Sequence, residues 1–489
     1  MTEELPIKVV EDNNGNKYYL DSILGQGGQG MVCRTQDKNL AIKFLISDDK
    51  IVENEKKYNL FQDKINDVVI MNFDKDIKLC KPEIMLKKPM CGYVMKLLSD
   101  LKPINRLIYD ANSDGNFNDY YIKSGSLKKR LEVLLELSRT LSRLHSKGVV
   151  YCDISQNNVF YSDTNNFSNV WLIDCDNLKF TADAKKGIFT PGYGAPEIEA
   201  NVTSNTIYSD CFSFAILAFR VLTSRNPFEQ DYSQDSSSDG WDASTTDEIK
   251  STSNIDWILE NDKEKDREYF KHFIDLNLLD LFDLTFNKTG RLNPQSRPSM
   301  RTWYDTLKTC ITELRKCECE SFILASDEKC PFCNVKRNIK YYINIFNIFN
   351  KASFGNIVDE VNENIKKDEI DGVDFTNEQI QLIKKSNYEK KYNYPTVIYN
   401  GLRIYNFNLF EVTIYDNPYA IVEFKIYNNN LFATNVSKKV LRIRKMGEAQ
   451  DLLPGNSTQL EFDSSKKCNI YLVDSITKLT ICVNVTKVW

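Results

Sequence analysis

Asp153 and Asn158, five positions apart, are two oxygen-bearing side chains suited to chemistry. A third, Asp174, follows sixteen residues after Asn158, directly behind the apolar run 170–173. Carboxylate and amide oxygens are ligands that Mg²⁺ prefers. A carboxylate can also orient a hydroxyl group and accept its proton. The three residues would therefore suit metal-assisted attack of a hydroxyl on a phosphoryl group, although the same spacing occurs in ordinary polar loops.

A glycine-rich segment near the N-terminus is suited to close approach of the backbone to phosphate. Gly25, Gly27 and Gly30 follow the pattern G-x-G-x-x-G between two predicted strands, the second of which ends at Lys43. A dinucleotide-binding site would have a helix after the glycines, so the second strand argues against that class of site. Lys43 would supply a positive charge to the phosphates. A plain hairpin turn is the alternative.

Lys43 needs a carboxylate to hold its ammonium group, and the helical stretch 50–62 offers Glu53 and Glu55. Two residues apart on a helix, these acids project roughly 200° from one another, so only one can point inward. We expect Glu55 to pair with Lys43, because Tyr58 would share its face of the helix. Pairing through Glu53, or solvated positions for these acids, are the alternatives.

Further motifs follow in an order that chance rarely produces. They are GQGGQGMV at 25–32, AIK at 41–43, GYVMKL at 92–97, YCDISQNN at 151–158, LIDCD at 172–176, TPGYGAPE at 190–197, SDCFSF at 209–214 and QSRP at 295–298. In this order the chain resembles a eukaryotic-like Ser/Thr protein kinase over about 15–312. The resemblance implies a bilobal α+β fold, with the N-lobe at 15–98 and the C-lobe at 99–312.

The resemblance also implies a role for each matching residue. Mg-ATP would lie between the lobes, with Mg²⁺ on Asn158 and Asp174, while Asp153 would orient a Ser or Thr hydroxyl. The implied ATP contacts are Gly25, Gly27, Gly30, Val32, Ala41, Lys43, Met95 and Leu98. The implied supporting residues are Thr190 near the catalytic loop, Asp210 bonded to the backbone of that loop, and the buried ion pair of Glu197 with Arg297.

The sequence departs from the family pattern next to the implied catalytic residues. Tyr151 and Cys152 stand where His and Arg precede the catalytic Asp, so the usual receptor for an activating phosphate is missing. We therefore expect activity that does not require phosphorylation between Asp174 and Glu197. Asp176 stands at the glycine of D-F-G; it either adds negative charge near the metal or faces solvent.

Cys317, Cys319, Cys330 and Cys333 form the pattern C-x-C-x₁₀-C-x-x-C. Four thiolates on two short turns suit a structural Zn²⁺ and leave no open position for catalysis. Unpaired cysteines, or a redox pair, are the alternatives. Together with the stretch Asp-Cys-Asp-Asn at 174–177, the cluster resembles a bacterial kinase subgroup with a C-terminal zinc knuckle. Some members of that subgroup are associated with tellurite-resistance and stress operons.

The remaining chain is predicted to form three further regions. They are the zinc knuckle at 313–335, a polar helical linker at 336–393 and an all-β, sandwich-like domain at 394–489. Alternating apolar residues and turn dipeptides indicate short strands in the last region. That domain would recognise a partner or serve as a structural appendage. The acidic, Ser-rich stretch 229–253 is predicted to be a flexible loop.

The bulk composition narrows the classes of function. The 489 residues carry a net charge of −5 without a strongly basic stretch, which disfavours binding to nucleic acid or a membrane surface. The N-terminal stretch 1–15 lacks the apolar run of a secretory signal, and we expect a cytoplasmic protein.

The favoured function is that of an ATP-dependent Ser/Thr protein kinase with an unknown protein substrate, because Lys43, Asp153, Asn158 and Asp174 are all retained. The alternative is a pseudokinase scaffold that binds nucleotide and presents its zinc and β regions to protein partners. A third option is a small-molecule kinase, which would usually lack the TPGYGAPE segment.

Overall fold

The computed structural model describes most of the chain in sixteen ranges. They are 5–27, 30–48, 50–110, 115–162, 168–180, 187–228, 255–260, 264–324, 326–336, 341–347, 389–390, 396–409, 416–445, 448–462, 466–473 and 480–487. The chain divides into two compact units, one of residues 1–124 with 129–306 and one of residues 125–128 with 307–489. Within the described ranges, no helix has both the length and the apolar character that a bilayer crossing requires.

The first unit begins with an antiparallel sheet. Its strands are β1 (Val9–Glu11), β2 (Lys17–Gly27), β3 (Gly30–Thr35), β4 (Leu40–Ser47), β5 (Lys50–Ile51), β6 (Pro82–Met85) and β7 (Gly92–Lys96). Their spatial order is β1-β2-β3-β4-β7-β6, with β5 paired to β4. Successive side chains of a strand point to opposite faces. Ile42, Phe44 and Ile46 of β4 therefore share one face, and they join the buried core of this sheet.

Helix α1 (Glu55–Val69) follows β5 and packs against this sheet. It begins after Asn54, whose side-chain oxygen accepts a hydrogen bond from the backbone N–H of Lys57 at 3.0 Å. The helix buries Tyr58 and Ile65, which pack with Tyr93 of β7. The cap and the buried face together fix which residues of α1 point inward.

The rest of the first unit is mainly helical. Its helices are α2 (Phe117–Lys123), most of α3 (Ser126–Ser146), α4 (Pro196–Glu199), α5 (Ile207–Thr223), α6 (Glu264–Phe270), α7 (Leu276–Phe286), α8 (Lys288–Leu292) and the first part of α9 (Met300–Thr312), with 3₁₀ turns at Ile104–Leu107 and Pro294–Ser296. Helix α5 is buried along nearly its whole length, as expected for a helix that is apolar on most sides. Its Phe219 packs edge-on against Phe282 of α7.

Short antiparallel strands hold the segments around Asp153 and Asp174. They are β8 (Leu101–Pro103), β9 (Val149–Val150), β10 (Val159–Ser162), β11 (Val170–Leu172) and β12 (Lys179–Phe180). Strand β10 pairs with both β11 and β8, and β12 pairs with β9. The backbone N–H of Ile173 donates to the carbonyl of Asn158 at 3.0 Å. Pairing of β10 with β11 therefore brings the two oxygen-bearing segments side by side.

The second unit contains a hairpin and two antiparallel sheets. The hairpin joins β13 (Leu314–Lys316) to β14 (Phe322–Leu324). One sheet comprises β15 (Tyr341–Asn347), β16 (Glu389–Lys390), β17 (Thr396–Val397), β21 (Leu441–Lys445), β22 (Glu448–Leu452), β24 (Lys467–Val473) and β25 (Thr480–Lys487). The other comprises β18 (Leu402–Tyr405), β19 (Ala420–Tyr427), β20 (Asn430–Asn435) and β23 (Ser457–Gln459), and the short helix α10 (Asn406–Leu409) follows β18. One buried core takes side chains from both sheets, among them Ile343, Phe424 and Ile470.

The predicted helical linker at 336–393 is wrong for Tyr341–Asn347, which is strand β15, and for Glu389–Lys390, which is strand β16. Tyr341, Ile343 and Ile345 are buried at alternate positions, and β15 pairs along its whole length with β25. Aromatic and β-branched side chains at a spacing of two favour a strand over a helix. The linker residues 348–388 and the predicted flexible loop at 229–253 lie outside the described residues.

Candidate active site

Lys43 of β4 lies against two carboxylates that are 131 and 133 residues further along the chain. Its Nζ donates to Asp176 Oδ2 at 3.0 Å and also contacts Asp174 Oδ1. Burial disfavours the charged form of Lys43, but the charges of Asp176 and Asp174 outweigh that effect and raise its pKa. The lysine is therefore a fixed positive charge beside two acidic groups.

Asp174 follows β11 and has a left-handed backbone conformation with φ of 57°. This region is sparsely populated by residues other than glycine, and such strain concentrates at functional sites. The chain reverses there into the 3₁₀ turn Cys175–Asn177, in which Cys175 is fully buried. The reversal places both Asp174 and Asp176 within reach of Lys43.

Asp153 lies in the loop between β9 and β10 and is held at both carboxylate oxygens. Thr190 Oγ1 donates to Oδ1 at 2.6 Å, and Asn158 Nδ2 donates to Oδ2 at 2.8 Å. Burial raises the pKa of Asp153, and the hydrogen bonds from Thr190 and Asn158 offset only part of that rise. A carboxylate fixed in this way is suited to accept a hydrogen bond from a hydroxyl group.

The backbone before Asp153 is held by Asp210, near the start of α5. Asp210 Oδ2 accepts a hydrogen bond from the N–H of Tyr151 at 2.8 Å, and its Oδ1 accepts one from the N–H of Cys152 at 3.0 Å. His145 Nε2 lies 3.1 Å from the same Oδ2. Cys152 has a φ of 78°, so these bonds hold a strained residue immediately before Asp153.

The apolar residues predicted to contact a nucleotide share one face of the sheet with Lys43. Ala41 and Lys43 alternate along β4 and therefore point to the same side. Val32 of β3 lies directly opposite Lys43, and Met95 of β7 lies directly opposite Ala41. This face is distinct from the one that carries Phe44 into the sheet core. Leu98 follows the end of β7 and is half-buried.

The glycines near the end of β2 differ in what surrounds them. A Cβ atom at Gly25 or Gly27 would meet no heavy atom within 4 Å, so the backbone there is open to a ligand. A Cβ atom at Gly30 would lie 3.0 Å from Cε of Lys43 and 3.4 Å from the carbonyl oxygen of Phe44. Gly30 therefore leaves room for the lysine side chain, while Gly25 and Gly27 leave room above the strand.

The donor atoms suit a magnesium ion accompanied by phosphate. Asn158 Nδ2 is committed to the carbonyl and carboxylate oxygens of Asp153, at 3.0 and 2.8 Å, which leaves Oδ1 as its acceptor atom. The Asp174 side chain is 37% exposed, so its carboxylate is accessible to a ligand. Hard oxygen donors of this kind, with positions left for phosphate and water, match the preference of Mg²⁺.

Glu55 does not hold Lys43 in this structure, contrary to the prediction. Its side chain is 80% exposed and lies 4.0 Å from Lys88 Nζ. The reason is the helix start: Asn54 caps α1, so Glu55 stands in the exposed first turn rather than on the buried face of Tyr58. Glu53 precedes the helix and is also exposed.

Asp176 is the partner of Lys43 that sequence reasoning missed. Two carboxylates at i and i+2 after an apolar strand were a visible signal, but the spacing alone did not show that the chain reverses at Asp174. The contact of the same turn with α1, from Lys64 Nζ to Asn177 Oδ1 at 2.7 Å, had no sequence signal.

Glu197 and Arg297 meet away from these residues in a bidentate ion pair. Both Arg297 terminal nitrogens donate to the Glu197 carboxylate at 2.8 Å. Arg297 also donates to the carbonyl of Gly290 at 2.8 Å and to that of Tyr208 at 3.1 Å. Its side chain is fully buried. The pair therefore ties the segment after Thr190 to the segment before α9.

The four cysteines of the predicted knuckle converge next to the β13–β14 hairpin. The sulfur atoms of Cys317, Cys319, Cys330 and Cys333 all lie within 4.8 Å of one another. Two pairs are at 3.5 and 3.7 Å. A tetrahedral ion with metal–sulfur bonds of about 2.3 Å would separate its ligands by about 3.8 Å, so the donor set fits Zn²⁺.

Comparison with known proteins gives a consistent result for the first unit. A family model described as "Protein kinase domain" matches residues 18–306. The chain is similar to a probable serine/threonine-protein kinase, gdt4, of Dictyostelium discoideum, with 27% identity over 172 residues, 32% of this chain and 10% of the relative. It is also similar to a probable serine/threonine-protein kinase 2 of Plasmodium falciparum, with 26% identity over 174 residues, 33% of this chain and 34% of the relative.

A bacterial protein is similar over a shorter stretch. The serine/threonine-protein kinase pkn2 of Myxococcus xanthus is 29% identical over 109 residues, which cover 21% of this chain and 13% of the relative. The chain thus spans about a third or less of the length of these three relatives.

Proposed function

Because the chain belongs to the protein kinase family, we propose that it transfers the γ-phosphoryl group of Mg-ATP to Ser or Thr hydroxyls of a protein substrate. The observation that carries the proposal is the convergence of Lys43, Asp174 and the pair Asp153 and Asn158 from three separate segments. The names of the similar proteins support Ser and Thr as acceptors.

Each residue has a defined task in this proposal. Lys43 neutralises phosphate charge, and Asn158 and Asp174 would hold Mg²⁺, which when bound offsets charge on the transferring group. Asp153 accepts a hydrogen bond from the substrate hydroxyl and orients it for in-line attack. Thr190 and Asn158 keep the Asp153 carboxylate in that orientation, and Asp210 holds the backbone before it.

The second unit is proposed to have a structural and a binding role. Cys317, Cys319, Cys330 and Cys333 would hold a structural Zn²⁺, in support of which their sulfur atoms lie within 4.8 Å of one another. The β sheets beyond them would bind a protein partner. Membership of the bacterial zinc-knuckle subgroup, the domain boundaries and a cytoplasmic location stay predictions from the sequence.

The test is transfer of labelled γ-phosphate from Mg-ATP to a general protein substrate. Wild type should label Ser and Thr, while Asp153→Asn and Asp174→Ala should each reduce labelling about 10³-fold or more. Asp280→Asn, an exposed aspartate of α7, is the matched control and should label like wild type.

Equal labelling by all four proteins would contradict the proposal. Nucleotide binding without any labelling would instead favour the pseudokinase scaffold.

A further inference from the structure

Asp176 is a buried acid that is paired with Lys43. Its side chain is 10% exposed, and Oδ2 accepts a hydrogen bond from Lys43 Nζ at 3.0 Å. A buried carboxylate is strongly destabilising unless it is paired and hydrogen-bonded. The short separation therefore indicates a pair that the fold requires, rather than an incidental contact at the surface.

Helix α1 supplies no buried acid to Lys43. Its own acidic residues, Glu55, Asp63 and Asp67, are all exposed, and so is Glu53 before it. The buried positions of α1 are Tyr58, Ile65 and Val68, none of which can balance an ammonium charge. In the kinase family that the chain resembles, an acid from this helix pairs with the lysine.

The two acids beside Lys43 differ in exposure. Asp174 is 37% exposed and accessible to a metal ion with its phosphate ligand, whereas Asp176 is 10% exposed. When Asp174 serves as a metal ligand, its charge is shared with the metal. Asp176 is then the acid that is left to hold Lys43.

We propose that Asp176 is the positioning residue that holds Lys43 toward the nucleotide, in place of an acid from helix α1. The inference rests on the proposed function. The turn that contains Asp176 also contacts α1 through Asn177, which accepts a hydrogen bond from Lys64 at 2.7 Å. One turn thus carries the metal ligand Asp174, the lysine holder Asp176 and the contact to α1.

A consequence is that the lysine contact is independent of acids on α1. In this chain, the carboxylates that accept hydrogen bonds from Lys43 Nζ belong to the segment that carries Asp174. Whenever this turn is formed, Lys43 has its partner, whether or not Glu53 or Glu55 faces inward.

The test compares kcat/KM for Mg-ATP in single and double variants of the full chain. Asp176→Asn should reduce kcat/KM by about 10- to 100-fold, as expected when a group that positions the phosphates is displaced by about 1 Å. Asp176→Glu, which keeps the charge, should recover part of the loss. Glu53→Gln, Glu55→Gln and the matched control Asp63→Asn should retain wild-type activity within about twofold, as exposed substitutions usually do.

The double variant with Lys43→Met separates positioning from a merely structural role. If Asp176 acts through Lys43, adding Asp176→Asn to Lys43→Met should cause no further loss of kcat/KM, since coupled residues are non-additive. The Mg²⁺ concentration for half-maximal activity should be unchanged by Asp176→Asn.

Three results would overturn the inference: an additive loss in the double variant, a raised Mg²⁺ requirement that marks Asp176 as a metal ligand, or a loss in Glu53→Gln or Glu55→Gln equal to that in Asp176→Asn. Each of them leaves wild-type transfer intact and so spares the proposed function. Absence of transfer by the wild type would overturn both together.

Discussion

The two candidate metal sites of this chain are built in opposite ways. The oxygen site is formed by Asn158 and Asp174. Lys43, which contacts Asp174, comes from strand β4, 131 residues earlier in the chain. The sulfur site takes all its donors from 17 residues, Cys317 to Cys333, and packs their sulfur atoms within 4.8 Å of one another. The first has a partly exposed carboxylate in Asp174 and leaves positions for a ligand, while the second is closed by its own four donors.

The difference between the two sites indicates whether each metal would contribute to the reaction rate or to the fold. An oxygen site with positions left for phosphate can bind and release its ion with substrate, so its loss should change the rate and leave the fold. A site of four thiolates is saturated by protein, so its loss should change the fold of the surrounding segment and not the chemistry. Four variants can break or sharpen this contrast.

The largest effect is expected at the sulfur site. Cys330→Ser should abolish stoichiometric zinc and unfold the β13–β14 region, because structural zinc contributes on the order of 10 kcal/mol or more to folding of small sites. Cys468→Ser, a buried cysteine outside the cluster, is the matched control and should keep its zinc. Metal content and hydrogen exchange of the full chain measure both outcomes. An unchanged zinc content in Cys330→Ser would contradict the proposal that the four cysteines bind the zinc.

An ion pair without a metal provides the next comparison. Arg297→Met should destabilise the first unit by about 3–5 kcal/mol, because it leaves the carboxylate of Glu197 buried without its partner. Arg301→Met removes an exposed pair with Asp305 and should cost about 0.3–0.5 kcal/mol. Denaturant titration gives both values, and added zinc or magnesium should restore neither. Equal stability of the two variants would argue against the buried pair.

Loss of a donor at the oxygen site should lower the rate of phosphoryl transfer without unfolding the protein. Asn158→Ala removes the amide oxygen proposed for Mg²⁺ and a hydrogen bond to Asp153, and we expect transfer to fall by about 10²-fold or more. The melting temperature should change little, and excess Mg²⁺ should recover part of the rate. Asn66→Ala, at an exposed position of helix α1, is the control. If the rate of transfer fell only in proportion to the amount of folded protein, the proposed difference between the two metal sites would be contradicted.

The smallest effect concerns carboxylates paired with arginine instead of metal. Asp76 accepts hydrogen bonds from Arg143, which hold its pKa below the ordinary value. Asp74 lies 3.0 Å from the same guanidinium group, so the cluster retains one acid when Asp76 is replaced. Asp76→Asn should therefore lower the free energy of unfolding at pH 7 by about 1 kcal/mol.

The pH dependence follows from the direction of the Asp76 shift. Because its folded pKa is lowered, its contribution is fully present above the unfolded value, about pH 3.9, and is lost as the pH falls through the folded pKa. Asp76→Asn should thus be less stable than wild type at neutral pH and converge with it in acid. Unfolding curves at several pH values, with Asp280→Asn as control, measure this. A constant difference at all pH values would show that charge is not involved.

The sequence indicates which residues lie close together where they belong to one short motif. The spacing of Asp153 and Asn158, and the position of Asp174 after an apolar run, are set by one loop and one strand, so the sequence contains them directly. The four cysteines are similarly close together in the chain. Lys43 was predictable because its strand follows the glycine segment.

The sequence does not predict a contact that depends on where a helix begins, and hence which side chains face inward, or on where the chain turns. Glu55 was chosen by its spacing from Tyr58, but the start of α1 at Asn54 puts it in the exposed first turn. The role of Asp176 depends on the turn at Asp174. The left-handed backbone conformation of Asp174 is not predicted by any pattern in the sequence. Strand β15 looked helical because its apolar residues suit more than one period over a short stretch, and pairing with β25 determines the outcome.

The central claim is that residues from separate segments converge on one magnesium nucleotide. Calorimetric titration of ATP, at saturating Mg²⁺ and in EDTA, tests it most directly when wild type is compared with Asp174→Ala. Wild type should bind ATP more tightly with Mg²⁺ than without, and Asp174→Ala should lose that difference while still binding Mg-free ATP. An equal magnesium effect in both proteins would contradict the account.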